Sequence, residues 1–204
     1  MKSTLLIIGI CMLALPIYAR ENEPISLVVA PVNEDSLREV RLQMEKDSIM
    51  NSYTQIGRDY CSGSNGKSMN MQHAVVWFRK AAEEGYAPAQ YELARCYMYG
   101  YGVAKNHEEM VYWTLLAAEQ GYADAQNMLG VCYYRAYGVS QSYTEAVMWF
   151  LKAADQGCAE AQFNLARCYA NGEGVEQSTS IARYWYGLAA EQGLPAAKNK
   201  LEQL

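Results

Sequence analysis

Four tryptophans at one fixed interval constrain this chain more than any other feature of it. Trp77, Trp113, Trp149 and Trp185 stand 36 residues apart, and Gly85, Gly121, Gly157 and Gly193 keep the same spacing. The pairs Ala81-Ala82, Ala117-Ala118, Ala153-Ala154 and Ala189-Ala190 follow it, as do Leu93, Leu129, Leu165 and Leu201. Residues 86–121 and 122–157 are identical at 18 of 36 positions. A period of this length marks a repeat array, because one such unit cannot bury its apolar surface until a neighbour stacks on it.

Each unit reads as two helices. In the unit that opens near residue 86, Ala89, Leu93, Cys96 and Tyr97 fall on one face of a helix over about 87–99. Gly100, Gly102 and Val103 then break it. The second helix starts at Asn106, whose equivalents are Asn70, Ser142 and Ser178, all side chains that accept a bond from an unpaired helical N–H. Glu109 and Glu145 sit where a reciprocal capping box would place an acid. The glycine at the end of each second helix suits a left-handed C-terminal cap. The expected layout is a leading helix at 35–50 and units at about 49–85, 86–121, 122–157 and 158–193, followed by a closing helix at 194–204. The first unit is one residue longer, around Ser62 to Lys67. The closing helix is polar at Lys198, Lys200 and Glu202, as a solvent-facing end should be.

These residues resemble the Sel-one-like repeat family, a relative of the tetratricopeptide repeats. The motif reads Ala125, Leu129-Gly130, Tyr133, Gly138-Val139, Trp149, Ala153-Ala154 and Gly157, and it covers residues 50–204. Ala136 replaces the first loop glycine, Ala94 and Ala166 replace the glycine after Leu, and the first unit lacks the loop element. The resemblance implies an all-α fold, a right-handed α/α superhelix, used as an adaptor in protein complexes.

The N-terminus predicts export. Lys2, the apolar run Leu5 to Leu15 and the small Ala19 have the layout of a cleaved secretory signal over 1–19, too short to span a bilayer. Residues 20–34, with Pro24 and Pro31, read as a linker. The mature chain from Arg20 would be periplasmic or extracellular. Without Lys2 it holds 16 basic against 22 acidic side chains. Such a chain, with no basic cluster, is a poor ligand for nucleic acid or anionic lipid. No second apolar stretch predicts membrane insertion.

Candidates for chemistry are few. His73 and His107 occupy different repeat positions, so stacking does not bring them together, and no His/Cys spacing resembles a metal site. Ser64-Asn65-Gly66-Lys67 matches the S-x-x-K string of penicillin-recognising enzymes, but neither partner motif occurs. Three of the cysteines, Cys96, Cys132 and Cys168, share one repeat position. Equivalent atoms of adjacent units lie ~8–10 Å apart, beyond the Cα separation of about 7 Å that a disulfide tolerates. Together with Cys61 and Cys158 they are expected to be free thiols. No catalytic residue, metal or cofactor is assigned.

What remains is surface. If the first helices line the concave side, residues offset from the core stripe face a partner. Those are Tyr91, Arg95, Tyr99, Asn127, Tyr134, Arg135, Phe163 and Arg167, with aromatic and Arg types that dominate binding hot spots. The expected function is an exported scaffold that binds a protein or peptide on this face, with a glycan as a further class of ligand. Two alternatives are a cell-wall or β-lactam hydrolase, on the Ser64 string, and a structural spacer in an envelope complex.

Overall fold

The computed structural model describes residues 34–204; the signal expected at 1–19 and residues 20–33 of the expected linker lie outside the described residues. Nine helices make up the described residues. They are α1 (Glu34–Ser62), α2 (Met71–Glu83), α3 (Ala87–Tyr99), α4 (His107–Glu119), α5 (Ala123–Arg135), α6 (Tyr143–Asp155), α7 (Ala159–Asn171), α8 (Thr179–Glu191) and α9 (Pro195–Leu201). The helices expected at 87–99 and after Asn106 are α3 and α4. The leading helix and the first helix of the opening unit are not separate: α1 runs through both, and Leu37, Val40 and Met44 on its first half are exposed. No described helix is long and apolar enough to cross a membrane.

Local chemistry sets each boundary. The side chains of Asn70, Asn106, Ser142 and Ser178 accept bonds from N–H groups in the first turns of α2, α4, α6 and α8. The reciprocal capping box does not close. The backbone N–H of Asn106 donates to Tyr97 O at 3.1 Å, and that of Ser142 to Tyr133 O at 3.0 Å. Glu109 instead accepts from Trp113 Nε1 at 3.2 Å. The cap therefore ties each second helix to the first helix of its own unit. At the other end Gly121 has φ +87°, and the N–H of Tyr122 donates to Ala117 O at 3.1 Å, the left-handed closure that glycine permits.

The Ala pairs do what their size predicts: Ala117, Ala118, Ala153 and Ala154 are fully buried, letting neighbouring helices approach. The tryptophans, whose size and fixed period would suit full burial, are only half-buried. Trp149 is half-buried, packs against the core of the preceding unit, and carries Lys152 Nζ at 4.0 Å from its ring. The buried ring is its neighbour: Phe78, Phe150 and Tyr186 lie at that position, with Thr114 in the remaining unit. Space for Phe78 and Phe150 is made on the facing helix by Gly57 and Gly130, where an added Cβ would lie 2.5 Å from the ring. Where Thr114 replaces the ring, Ala94 replaces the glycine and is itself buried. At Ala94 and Thr114 the departures from the motif are thus complementary volumes, whereas in the last unit Ala166 and the ring of Tyr186 are buried together in one core cluster.

A second ladder joins the units. Gln90, Gln126 and Gln162 are buried, and each donates across the junction to a helix-end carbonyl, Ala82 O at 3.1 Å, Ala118 O at 3.1 Å and Ala154 O at 3.3 Å. Their own oxygens accept from Gln120, Gln156 and Gln192 at 2.7–2.8 Å. Each of these carbonyls also accepts the N–H of the glycine that closes its helix, Gly85, Gly121 or Gly157, so the glutamine adds a second bond at each helix end. At the next position down the stack stands the exposed Lys198, and the ladder ends there.

Candidate functional site

The first helices of neighbouring units meet directly, and the candidate residues lie along that meeting line. At the near end Arg58 Nε of α1 donates to Glu92 Oε1 of α3 at 2.9 Å, and Arg95 Nη1 donates to Glu92 Oε2 at 3.0 Å. One carboxylate thus serves two guanidinium groups. The Arg95 guanidinium carbon lies 5.8 Å from the centre of the Tyr91 ring. Burial pushes the Tyr91 hydroxyl up to about 12, with the Asp124 charge adding to the effect. That ring packs on Tyr122 at 5.4 Å, so Tyr91 is half-buried in a junction rather than open to solvent.

Further along, the Arg167 guanidinium lies over the Tyr134 ring at 4.2 Å, a cation–π arrangement between α5 and α7. The Tyr134 hydroxyl donates to Glu173 Oε2 at 2.8 Å. Burial, then this bond, raises its pKa to about 12. Arg167 Nε is shielded from water and has no hydrogen-bond partner. Asn127 Oδ1 accepts from Asn164 Nδ2 at 3.0 Å. Phe163 meets Tyr186 edge-on at 5.2 Å.

The eight candidates therefore divide. Tyr99 and Arg135 are exposed, and Tyr99 stacks on Tyr101 at 5.3 Å. Arg95 and Arg167 are half-buried in charge or ring contacts. Tyr91, Asn127, Tyr134 and Phe163 are also half-buried and hold adjoining units together. The sequence reading missed Arg58, Glu92 and Glu173. Arg58 had a signal: the longer first loop makes the offset there 37 residues, which aligns Arg58 with Arg95.

The other candidates have different roles. Ser64 Oγ donates to Asp59 Oδ1 at 3.3 Å and Lys67 Nζ lies 3.8 Å from Asp59 Oδ2, so both halves of the S-x-x-K string tie the loop to a buried carboxylate. His73 and His107 are exposed. Among the described residues no three His, Cys, Asp or Glu side chains converge as a metal site would need. Cys61, Cys96, Cys132, Cys158 and Cys168 are free.

Repeated helix pairs, joined through a glutamine ladder and sharing one face of first helices, define a helical-repeat solenoid. The Sel1 repeat model matches residues 52–86, 87–122, 123–158 and 159–194. The chain belongs to the Sel1 repeat family. Among solved structures it is similar to a protective antigen of uropathogenic Escherichia coli that displays an SLR fold, at 37% identity and a TM-score of 0.72 over 83% of this chain and 35% of that one. A Sel1 repeat protein from Oxalobacter formigenes matches at 35% identity and a TM-score of 0.70, over 74% of this chain and 60% of that one. This chain thus spans about a third of the first and three-fifths of the second. Cysteine rich protein B of Helicobacter pylori shares the fold, at 18% identity and a TM-score of 0.53 over 65% of this chain and 96% of that one. A comparison with curated protein sequences gave no match.

Proposed function

We propose that this protein is an exported adaptor, without catalytic activity, whose first-helix face is the concave side and holds a protein or peptide partner. The observation that carries the reading is the pair of arginine–aromatic clusters on that one face, Arg58/Arg95 with Tyr91 and Arg167 with Tyr134, in a chain that is acidic as a whole. Arginine and tyrosine held by neighbours bind a partner with little further loss of rotamer freedom. Carboxylates and backbone carbonyls are the groups such a face recognises. The hydroxyl of Ser64 and the ammonium of Lys67 are both turned onto Asp59, which argues against a serine-enzyme role. Export rests on the 1–19 pattern.

Crosslinking in intact cells, followed by purification of the chain, tests the reading. The combined change Arg95→Ala, Tyr99→Ala and Arg135→Ala should abolish recovery of the crosslinked partner. Melting should shift little: Tyr99 and Arg135 are exposed, where substitutions cost less than about 0.5 kcal/mol each, and without the half-buried Arg95 the Glu92 carboxylate keeps its bond from Arg58. Full recovery of the partner by this variant would refute the face. A chain that stays in the cytoplasmic fraction with Met1 attached would refute export.

A further inference from the structure

The repeat is not equally filled along its first-helix face. With the offset of the first loop included, one position carries Cys61 on α1, Met98 on α3, Tyr134 on α5 and Ala170 on α7. In the two middle units it is large. Met98 packs into the core beside Ala94 and Leu129, and Tyr134 lies under Arg167. In the two outer units it is small, and a cleft opens beside each small side chain. The first, ≈ 320 Å³, is floored by Met71, Phe78 and Cys96, walled by Cys61 and Tyr101, and rimmed by Arg58, Glu92 and Arg95. The other, ≈ 300 Å³, is built from the matching positions: Arg167 for Arg58, Ala170 for Cys61, Tyr186 for Phe78 and Leu204 for Cys96.

We propose that these two clefts are paired sockets for a partner strand, each taking a bulky aliphatic side chain whose neighbouring residue carries a carboxylate. The inference rests on the first-helix face being the binding face. Volume supports the side chain, since an apolar cavity of about 150 Å³ already admits benzene. Charge supports the carboxylate. In the first socket each guanidinium commits one N–H to the shared Glu92, which leaves one positive charge and the remaining N–H groups for a second acid. The far socket is lined by Arg167 and Lys200 with no acidic side chain; Lys200 Nζ donates to the neutral Gln203 Oε1 at 3.2 Å, and Arg167 Nε is buried without a partner. Three steps between first helices at about 8–10 Å each separate the sockets. An extended strand covers that span in roughly eight residues.

The test is fluorescence anisotropy with labelled Gly/Ser peptides that carry one Leu-Glu pair, or two pairs eight residues apart. The two-pair peptide should bind at least tenfold tighter than the one-pair peptide, because the second contact is intramolecular. Cys61→Met, which copies the side chain of the next unit and fills the first socket, should remove that advantage. Ala170→Met should do the same at the far socket, so the result does not depend on one variant folding. Replacing Leu by Ala or Glu by Lys in the peptide should each weaken binding at least tenfold. The proposal is overturned if neither filled variant weakens binding, if the Lys peptide binds equally well, or if the two-pair peptide does not bind the unaltered chain. Loss of the natural partner in the Arg95/Tyr99/Arg135 variant but not in Cys61→Met would retain the binding face and refute the sockets.

Discussion

The complementary pair Gly130 and Phe150 offers a quantitative test of what sets the spacing of helices within a unit. Phe150 is fully buried, and an added Cβ at Gly130 would sit 2.5 Å from its ring. Gly130→Ala alone should overpack the α5–α6 contact by about 1–3 kcal/mol, less about 1 kcal/mol regained because alanine favours a helix interior over glycine. Phe150→Thr alone removes the ring and should cost roughly 3–4 kcal/mol, mostly as cavity. The new hydroxyl is not stranded: Thr114 at the matching position donates to Met110 O at 2.6 Å, and a threonine at 150 has Ala146 O in the same relation. The double change recreates the Ala94/Thr114 pair of the preceding unit. In it the clash disappears, the methyl fills part of the void and the helix gain is kept, so the cost should fall to about 2 kcal/mol. A double-mutant cycle by urea denaturation should therefore give a favourable coupling of about 2 kcal/mol, or some 4–8 °C in Tm for a chain of this size. Costs that add to within about 0.5 kcal/mol would show that the two positions are independent, and the argument from matched volumes would fail.

The remaining predictions use the same structure. Phe150→Ala should destabilise by about 3–5 kcal/mol and Trp149→Ala by roughly half of that, since its indole is half-buried; the reverse order in denaturant melts would contradict the assigned core. Ala136 has φ +58° where Gly100 and Gly172 stand in neighbouring units, so Ala136→Gly should raise stability by about 1 kcal/mol, and an unchanged or lower Tm would count against the strain. Asp59 has its pKa lowered by side-chain bonds from Asn65, then Gln55 and Ser64, and by Lys67. A depressed folded pKa gives stability that is complete above the unfolded value and lost as pH falls through the folded one. Tm should therefore drop below about pH 4, with a shallower acid limb in Asp59→Asn; identical limbs would exclude the carboxylate. Burial raises Cys96 and Cys132 to about 12 and Cys168 to about 11, so Ellman's reagent at pH 8 should reach the half-exposed Cys61 and Cys158 first and the other three only in denaturant. Fewer than five thiols from residues 34–204 would reveal a disulfide.

The amino-acid sequence by itself determined the repeat, its period, its family and the helix boundaries of the regular units, though not the continuity of α1. Each of these is local: a cap residue bonds within its own turn, a left-handed glycine acts at one residue, and apolar spacing needs only the helical pitch. Trp149 shows where that logic ends. Conspicuous at every period, it reads as the buried ring, yet the stack buries Phe150 beside it. Which of two adjacent residues points inward depends on how α5 and α6 pack, and at Gly130 the missing side chain leaves room for the Phe150 ring. The glutamine ladder was equally regular in sequence, but buried bonding between Gln120 and Gln90 exists only once the ends of two helices are placed side by side. The proposed binding face divides the same way. Arg95, Tyr134 and Arg167 are candidates for it from helical spacing, whereas the sharing of Glu92 and the clefts beside Cys61 and Ala170 depend on the packing between units. A side chain's type is written in the chain, but the space left unfilled around it belongs to its neighbours, and only the tertiary structure brings those together.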